Sequence, residues 1–421
     1  MVKIISDLHI HSKYSRATSS KMDIPTISQW CVYKGLKLVG TGDFTHPLWL
    51  GDIKTYLKPA GYGFYQYNDI YFILTAEVNN IYTKNNKIRR IHNIIFVPSI
   101  EIAEKLNKKL SQYGNLLSDG RPILRLDSED LLEILLDISP DIVLIPAHIW
   151  TPHFSLFGSL SGFDSIEECF GKYTKYIFAV ETGLSSDPSM NWRLSSLDRI
   201  TLISNSDAHS PSRLGREANV FEIDNINDIY REIIDILKTK NKKKFLFTIE
   251  FFPEEGKYHY DGHRFCQVCL SPQEAISKNN ICPNCKRPLT IGVLHRVEEL
   301  ADRPQNYVPE GVIPYKNLIS LDEIIAEALN TKKETVNVNK EYLKIVTNLS
   351  NEFDILMNIS EKDLYKFIPA KIVEGILNMR EKKLEIRPGY DGEYGVIKIK
   401  WNDAKTQNSA VKPKEEQLTL F

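Results

Sequence analysis

The sequence lacks the features that would place it in a membrane or outside the cell. None of its 421 residues belongs to an apolar run of about 18 or more, the length that a membrane-spanning helix requires. The N-terminus has no basic segment followed by an apolar run and a small-residue cleavage site, so no secretory signal is expected. We therefore predict a cytoplasmic protein with reduced thiols.

The chain also has almost no net charge and few cysteines. The 53 basic and 54 acidic side chains leave a net charge of −1, which excludes a polycationic protein but allows local basic patches. There are six cysteines, and in a reducing compartment they need another role than a disulfide framework. The length exceeds what one ordinary core supplies, so two or three domains are expected.

An aspartate and two histidines near the N-terminus share one face of a predicted strand. Asp7, His9 and His11 follow a short apolar run, residues 2–5, that predicts a β-strand. Side chains at positions i and i+2 of a strand point to the same side. Two imidazoles and a carboxylate on one side suit a first-row metal such as zinc, manganese or iron. The alternative is a chance cluster of polar residues at the end of a strand.

A second aspartate–histidine pair repeats this pattern far along the chain. Asp207 and His209 follow the apolar run 200–203. Each cluster therefore stands at the C-terminal end of a predicted strand. Two clusters of the same composition in the same position indicate one shared metal site, because a single fold can bring the ends of several strands together.

The first 250 or so residues alternate between strand-like and helix-like segments, which predicts an α/β fold with a mostly parallel sheet or barrel. The predicted strands are 2–6, 36–41, 71–75, 91–97, 141–146, 176–180 and 200–204. Examples of the predicted helices are 99–113 and 128–137. In such barrels the functional groups collect at the C-terminal ends of the strands.

Nearly every predicted strand is followed by a potential metal ligand. Six of the ten histidines lie at this predicted ligand face, namely His9, His11, His46, His148, His153 and His209. Asp43, Glu77 and Glu181 add carboxylates there. His92 is the exception, because it lies near the start of its strand unless that strand is short or antiparallel.

Four of the six cysteines form two closely spaced pairs. The pairs are Cys266-x2-Cys269 and Cys282-x2-Cys285, separated by twelve residues. Paired thiolates at this spacing predict a structural Zn²⁺ site closed by four ligands. A pair of redox dithiols is the alternative.

Together these residues resemble the polymerase-and-histidinol-phosphatase (PHP) family of metal-dependent phosphoesterases. The matching residues are Asp7, His9, His11, Thr41, Gly42, Asp43, Glu77, His92, His148, Asp207 and His209. The resemblance covers about the first 250 residues. It implies a distorted (β/α)7 barrel with two or three divalent metals, Zn²⁺, Mn²⁺ or Mg²⁺, at its mouth.

The order of segments resembles the endonuclease Q family, of a bacterial type, over nearly the whole chain. A PHP barrel is followed by a four-cysteine finger, by the string GVLHRVEELADRP at 292–304, and by a helical region. The domains that this implies are a PHP catalytic barrel over 1–252, a small zinc-finger domain over 253–295, a mainly helical DNA-contacting domain over 296–402, and a tail over 403–421.

The resemblance implies a hydrolase that nicks damaged duplex or single-stranded DNA. The cut lies 5′ of uracil, hypoxanthine, xanthine or an abasic site and leaves a 3′-hydroxyl and a 5′-phosphate. A PHP phosphatase acting on small phosphomonoesters is the alternative, and a non-catalytic DNA-binding scaffold is a third reading. The finger, the helical region and the tail argue against the phosphatase, and the retained ligand set argues against the scaffold.

The family's ligands carry over to this sequence residue by residue. The ligands implied for the first metal are His9, His11, Glu77 and Asp207. Glu77 would bridge to a second metal, shared with His92 and His148. A third site would use His209 with Asp43 or His46. The residues expected to carry out the reaction are Glu77, Asp207, His148 and His153.

A damaged base must leave the stack before an enzyme can read it, and a pocket for it needs aromatic and amide groups. Candidates for contacts with the substrate are Trp150, Asn191, Trp192 and Arg193, together with Arg213 as a phosphate ligand. The alternative is that the aromatic residues pack against the barrel rim.

The chain ends in an apolar peptide after a polar segment. The residues expected to bind a partner are Gln417, Leu418, Leu420 and Phe421. Apolar side chains in such a place predict docking into a groove of another protein. The string QLTLF resembles the pentapeptide that binds the bacterial DNA sliding clamp; the alternative is that it folds back on its own domain.

Overall fold

Residues 1–401 are described by a computed structural model, and the first 250 of them alternate strands and helices. The strands are β1 (Val2–Asp7), β2 (Leu38–Gly40), β3 (Lys58–Gly61), β4 (Phe64–Tyr67), β5 (Ile70–Lys84), β6 (Lys87–Val97), β7 (Ile123–Leu124), β8 (Val143–Pro146), β9 (Ala179–Glu181), β10 (Thr201–Ile203), β11 (Ala218–Ile223) and β12 (Phe245–Glu250). The helices are α1 (Ile24–Lys34), α2 (Pro47–Tyr56), α3 (Ile100–Leu110), α4 (Ser128–Ile138), α5 (Ile166–Phe170), α6 (Pro188–Asn191) and α7 (Ile229–Thr239). The predicted partner-binding residues Gln417, Leu418, Leu420 and Phe421 lie outside the described residues.

These elements form the distorted α/β barrel that the sequence predicted. The seven predicted strands are present as β1, β2, β5, β6, β8, β9 and β10. Strand β1 pairs in parallel with β2, β2 pairs in parallel with β5, and β9 pairs in parallel with β10. The carboxyl ends of these strands therefore face one mouth of the barrel.

A long hairpin of β5 and β6 explains the one histidine that did not fit the parallel pattern. Strand β6 is antiparallel to both β5 and β8. His92 on β6 pairs with Asn79, two residues along β5 from Glu77, so the reversed direction brings His92 to the ligand end. The hairpin turns at Asn85 and Asn86, whose φ values of +56° and +58° suit a two-residue type I′ turn. Strand β5 continues past Glu77, which therefore lies within a strand rather than after one.

The remainder of the described chain contains a small hairpin module and a mainly helical region. Its elements are β13 (Asp261–His263), β14 (Val268–Leu270), α8 (Pro272–Ser277), α9 (Val293–Leu300), β15 (Tyr315–Asn317), α10 (Leu321–Ala328), α11 (Val336–Asn348), α12 (Glu352–Met357), α13 (Glu361–Phe367), α14 (Ala370–Arg380), β16 (Leu384–Arg387) and β17 (Val396–Ile399). Strand β15 pairs in parallel with β12, so one segment of the predicted helical region extends the barrel sheet. Among residues 1–401, no helix is long and apolar enough to cross a membrane.

Helix α1 joins the barrel to the helical region. Asp23 begins it by accepting a hydrogen bond from the Thr26 amide at 2.9 Å, as an N-cap residue does. Gly35 ends it with a left-handed φ of +90°, which glycine adopts without steric cost. A Cβ atom at Gly35 would lie 2.2 Å from Oδ1 of Asn351, so the end of α1 touches the start of α12.

Candidate metal centre

Four side chains from distant parts of the chain meet at the mouth of the barrel. One ligand atom from each of His9, His11, Glu77 and Asp207 lies within 4.8 Å of the others. Nε2 of His11 is 2.9 Å from Oδ1 of Asp207 and 3.2 Å from Oε2 of Glu77. Nε2 of His9 is 3.5 Å from the same Glu77 oxygen. The first three residues are buried, whereas 27% of the Asp207 side chain is exposed, so the group opens to solvent at Asp207.

A second group shares Glu77. Oε1 of Glu77 is 2.6 Å from Nδ1 of His92 and 3.0 Å from Nε2 of His148. These two ring nitrogens are themselves 3.2 Å apart. Each oxygen of the Glu77 carboxylate therefore faces a different set of ligands, which is the position of a bridging carboxylate.

The donor atoms of the first group fit a bound cation. Nδ1 of His9 faces the Glu181 carboxylate at 3.0 Å, and Nδ1 of His11 faces Asp43 at 3.0 Å, so each Nδ1 is placed to donate its proton outward. Nε2 of each ring and Oδ1 of Asp207 are buried without a hydrogen-bond partner. A divalent cation among these lone pairs would satisfy all of them, and imidazole with carboxylate suits zinc or manganese.

The charges of the centre are strongly coupled. Burial lowers the pKa of His9, but the Glu181 and Glu77 carboxylates outweigh it and raise that pKa well above its usual value. Burial raises the pKa of Glu77, but His92, Arg121 and His9 outweigh it and hold the pKa well below its usual value. Nη1 of Arg121 lies 3.1 Å from Oε2 of Glu77. Glu77 is therefore a buried carboxylate that stays ionised, as a ligand must be.

Asp43 and Glu181 orient the histidine ligands. Oδ2 of Asp43 accepts hydrogen bonds from the Ser12 amide, the Ser12 hydroxyl and the Ser15 hydroxyl at 2.6, 2.7 and 2.9 Å. The Glu181 carboxylate accepts from the His148 amide at 2.8 Å as well as facing His9. Carboxylates in this position fix the tautomer and the orientation of a ligand imidazole. The sequence placed Glu181 at a strand end without giving it a role, and no local pattern singled out Arg121.

The residues predicted for a third metal site have other partners in the structure. Asp43 faces His11 and two serines, as above. Nε2 of His46 faces the Leu117 carbonyl at 3.2 Å, and the ring stacks on Tyr14. Nδ1 of His209 faces the Asp207 carbonyl at 2.8 Å. Within residues 1–401, no group of three potential ligands includes Asp43, His46 or His209, and the third metal site stays a prediction.

Three residues of the centre have a backbone conformation that most side chains avoid. The φ values of Asp43, His148 and Asp207 are +49°, +30° and +48°. Such conformations cost about 1–3 kcal/mol each and persist where the surroundings enforce them. Gly183 helps to hold His148 in this conformation by packing closely against it. A Cβ atom added at Gly183 would lie 2.3 Å from Cβ of His148.

Asp7 ends β1, just before His9 and His11, and holds the loop that follows β10. Its carboxylate accepts hydrogen bonds from the Ser206 amide at 3.1 Å and the Gly215 amide at 2.9 Å. The two anchored amides flank the segment that contains Asp207. Asp7 therefore fixes the loop that supplies the fourth ligand, instead of orienting a histidine.

The predicted substrate residues lie at different depths. Nε1 of Trp150 donates to Oδ1 of Asn191 at 2.8 Å, and both side chains are buried beneath the rim. Arg193 is also buried and pairs with Glu298 at 2.7 Å. For these three residues the structure shows packing, and their contact with a substrate stays a prediction.

The other predicted contact residues reach the surface. Trp192 lines a cavity of about 270 Å³ together with Arg303 and Tyr307. Arg213 lines a larger cavity, of about 660 Å³, with Arg216 and other residues of the barrel and the C-terminal region. His153 is exposed on the loop after β8.

The cysteine module gathers a histidine where the sequence predicted a fourth thiol. One ligand atom from each of His263, Cys266, Cys282 and Cys285 lies within 4.8 Å of the others. Cys269 is absent from this group, and its Sγ lies 3.9 Å from the Pro388 carbonyl oxygen.

The strand register explains this difference. Cys269 pairs with Gly262, and His263 pairs with Val268. Directly paired residues of an antiparallel hairpin share a face, and the next residue points to the opposite face. Cys269 therefore points away from the face of His263, and the group that could hold a metal is one histidine with three cysteines.

Relatives of known sequence match most of the chain. Residues 320–383 match the domain family described as MJ0043 C-terminal domain. The protein MJ0043 of Methanocaldococcus jannaschii is 34% identical over 307 residues, and the match covers 70% of this chain but only 38% of that protein. The protein YqxK of Bacillus subtilis is 29% identical over 418 residues, and the match covers 94% of this chain and 100% of that protein.

Two solved structures share the whole architecture. The lesion-specific endonuclease PfuEndoQ from Pyrococcus furiosus has a TM-score of 0.84 at 33% identity, covering 94% of this chain and 96% of that one. Endonuclease Q in complex with a 27-mer duplex substrate, with an abasic lesion at the active site, has a TM-score of 0.83 at 33% identity, covering 95% and 97%. The fold is thus a PHP-type barrel with a C-terminal helical region and with ligand groups at its mouth. At this identity over nearly the full length, the chain belongs to the endonuclease Q family.

Proposed function

We propose that this protein is a metal-dependent DNA repair endonuclease. It cuts the phosphodiester bond 5′ of a deaminated base (uracil, hypoxanthine or xanthine) or of an abasic site, and it leaves a 3′-hydroxyl and a 5′-phosphate. The observation that carries the proposal is the shared carboxylate of Glu77, whose two oxygens face two separate ligand groups. The likeness to an endonuclease Q bound to a duplex with an abasic lesion supports DNA as the substrate.

Two adjacent divalent metals, Zn²⁺, Mn²⁺ or Mg²⁺, would supply an activated water and neutralise the charge that develops on the phosphate. We assign His9, His11, Glu77 and Asp207 to one metal and Glu77, His92 and His148 to the other. Asp43 and Glu181 keep the Nε2 lone pairs of His11 and His9 directed inward. Arg121 offsets the charge of Glu77 in the absence of substrate and is placed to meet a phosphate oxygen.

The leaving oxygen needs a proton, and His148 and His153, both expected to take part in the reaction, are the histidines to consider for it. His148 is buried and shares Glu77 with His92, so we assign it to the metal instead. His153 is exposed on the same loop and remains the candidate proton donor. Proton transfer of this kind requires a group within hydrogen-bond reach of the leaving oxygen.

The cysteine module would hold one structural Zn²⁺ through His263, Cys266, Cys282 and Cys285, because four closed ligands of nitrogen and sulfur suit that ion. Reduced thiols and a DNA substrate fit a cytoplasmic location. The basic residues Lys286 and Arg287 are exposed beside the module and would meet the DNA backbone.

The test is a nicking assay on short duplexes. Each duplex contains one deoxyuridine, one deoxyinosine or one abasic site, and an undamaged duplex is the control. With Mn²⁺, Mg²⁺ or Zn²⁺ present we expect a single cut 5′ of the lesion and a product that a DNA ligase can reseal. Release of phosphate from sugar phosphates without nicking would instead favour the small-molecule phosphatase, and binding without cleavage would favour a scaffold.

We also propose that the segment 417–421, QLTLF, binds the bacterial DNA sliding clamp. Its two leucines and terminal phenylalanine offer apolar anchors for a groove. Removal of these five residues should abolish co-precipitation with purified clamp and leave nicking of short duplexes unchanged. Retention of clamp binding would move the contact elsewhere in the chain.

A further inference from the structure

The loop that supplies Asp207 is enclosed between the barrel and the helical region. It runs from the end of β10 to the start of β11, and Asp7 holds the Ser206 and Gly215 amides on its inner side. Asp207 itself has a strained φ of +48°, so its conformation depends on how the rest of the loop is held.

The outer side of this loop is covered by a phenylalanine from α12. A Cβ atom at Gly215 would lie 3.1 Å from Cζ of Phe353 and 3.4 Å from Cδ1 of Leu36. Phe353 is 4% exposed and packs within the core of the barrel rather than within that of its own region. A side chain of the helical region thus packs against the glycine whose amide donates to Asp7.

A buried ion pair fixes α12 against the barrel. Nζ of Lys34, at the end of α1, lies 2.6 Å from Oε2 of Glu352, and the two side chains are 3% and 4% exposed. Glu352 also accepts hydrogen bonds from the Tyr342 hydroxyl at 2.7 Å and the Leu321 amide at 3.0 Å. A charge buried this deeply is retained only with such partners, and they tie Glu352, the neighbour of Phe353, to α1, to Tyr342 and to the Leu321 amide.

We propose that Glu352 and Phe353 are positioning residues for Asp207, and that the C-terminal region thereby completes the metal centre of the barrel. Both residues lie within 320–383, the part of the chain that matches a domain family of its own. The inference rests on the proposed function in taking Asp207 as a metal ligand. It adds that the ligand is held from outside the barrel.

The test compares Phe353→Ala with Ile376→Ala, a buried residue that belongs to the core of the helical region and not to the barrel core that includes Phe353. In Phe353→Ala the Mn²⁺ concentration for half-maximal nicking should rise about tenfold, the range seen when support of a ligand is lost. The rate at saturating Mn²⁺ should stay within about twofold. Phe353→Leu should restore most of the Mn²⁺ dependence, and Ile376→Ala should leave it unchanged.

Two further measurements do not need activity. Direct Mn²⁺ titration of the DNA-free protein should show weaker binding in Phe353→Ala. Amide hydrogen exchange over 204–216 should be faster in that variant and unchanged in Ile376→Ala. If the wild-type protein does not nick DNA, the proposed function fails, and these two measurements still decide the positioning.

Variants of the Lys34–Glu352 ion pair provide a second test if Phe353→Ala does not fold. Glu352→Gln should weaken Mn²⁺ binding and speed exchange over 204–216, and Lys34→Met in the same chain should reverse both effects by removing the unpaired charge. Unchanged Mn²⁺ binding and exchange in folded Phe353→Ala or Glu352→Gln would overturn the proposal. Equal effects of Ile376→Ala would also overturn it, because they would mean general destabilisation.

Discussion

The metal centre at the barrel mouth and the cysteine module assemble their ligands in opposite ways. The barrel centre takes His9 from the segment after β1, Glu77 from within β5 and Asp207 from the loop after β10, and it is mostly buried. The module takes all of its ligands from 263–285, and Cys285 is exposed. In the barrel the sheet register determines which side chains meet, whereas in the module a few local turns choose among neighbouring donors.

A second difference lies behind the histidines. Nδ1 of His9 and of His11 each faces a carboxylate, and these carboxylates belong to other strands or loops. In the module, Nδ1 of His263 faces Sγ of Cys285 at 3.4 Å, so this nitrogen points to another candidate ligand and not to a supporting carboxylate. The barrel thus holds its ligands through a surrounding network, and the module holds them through the ligands themselves.

Loss of Asp207 should have the largest effect. We expect Asp207→Ala to reduce nicking by about 10³-fold or more, because a ligand that supports several kcal/mol of transition-state stabilisation is removed. The unfolding transition followed by circular dichroism should remain cooperative. Nicking rates and Mn²⁺ binding are the measurements.

His209 provides the matched control in the same loop. Its ring lies 4.4 Å from that of His11, but it belongs to neither ligand group. We expect His209→Ala to lower nicking less than about tenfold, as for a residue that touches the centre without binding metal. Losses of equal size in the two variants would place His209 among the ligands and support the predicted third metal site.

The network behind the barrel histidines should have an intermediate effect. Asp43→Asn keeps the shape of the side chain but removes the charge that faces Nδ1 of His11. Burial raises the pKa of Asp43, but His11 and Ser12 outweigh it and lower the pKa, so the carboxylate is ionised in the folded protein. We expect metal affinity to fall about 10–100-fold, measured by Mn²⁺ titration.

Ser15→Ala is the comparison for that variant, because Ser15 donates to the same carboxylate at 2.9 Å and lies 3.2 Å from Nδ1 of His11, yet its removal leaves the charge of Asp43 in place. Its effect should be much smaller. If Asp43→Asn bound Mn²⁺ as tightly as the wild-type protein, the barrel histidines would need no outer support, and the contrast with the module would be lost.

The strand pattern was sufficient to predict much of the barrel. Asp/His pairs at i, i+2 after apolar runs identified His9, His11 and Asp207, and the structure brings these side chains together with Glu77. It could not identify Arg121, which precedes the two-residue strand β7 and reaches Glu77 only because β7 pairs with β5. The strand pattern also could not assign a role to Glu181. Its carboxylate faces His9 only because the ends of two strands far apart in the sequence, β1 and β9, meet in the fold.

The module shows where spacing alone fails. Two CxxC pairs are the usual sign of four thiolates, and that sign predicted Cys269. The structure gathers His263 in place of Cys269, because the pairing of Gly262 with Cys269 directs that thiol away from the face of His263. The local sequence contains both donors, and only the register of a three-residue strand pair distinguishes them.

We expect the smallest effects for variants of the cysteine module, and these variants distinguish His263 from Cys269 as the fourth ligand. We expect His263→Ala and Cys266→Ser each to release one Zn²⁺ per chain, measured by elemental analysis, and to weaken DNA binding by a few-fold. Cys269→Ser should retain the Zn²⁺ and bind DNA as the wild-type protein does. Release of Zn²⁺ from Cys269→Ser but not from His263→Ala would restore the four-cysteine site, and the module would then follow sequence spacing after all.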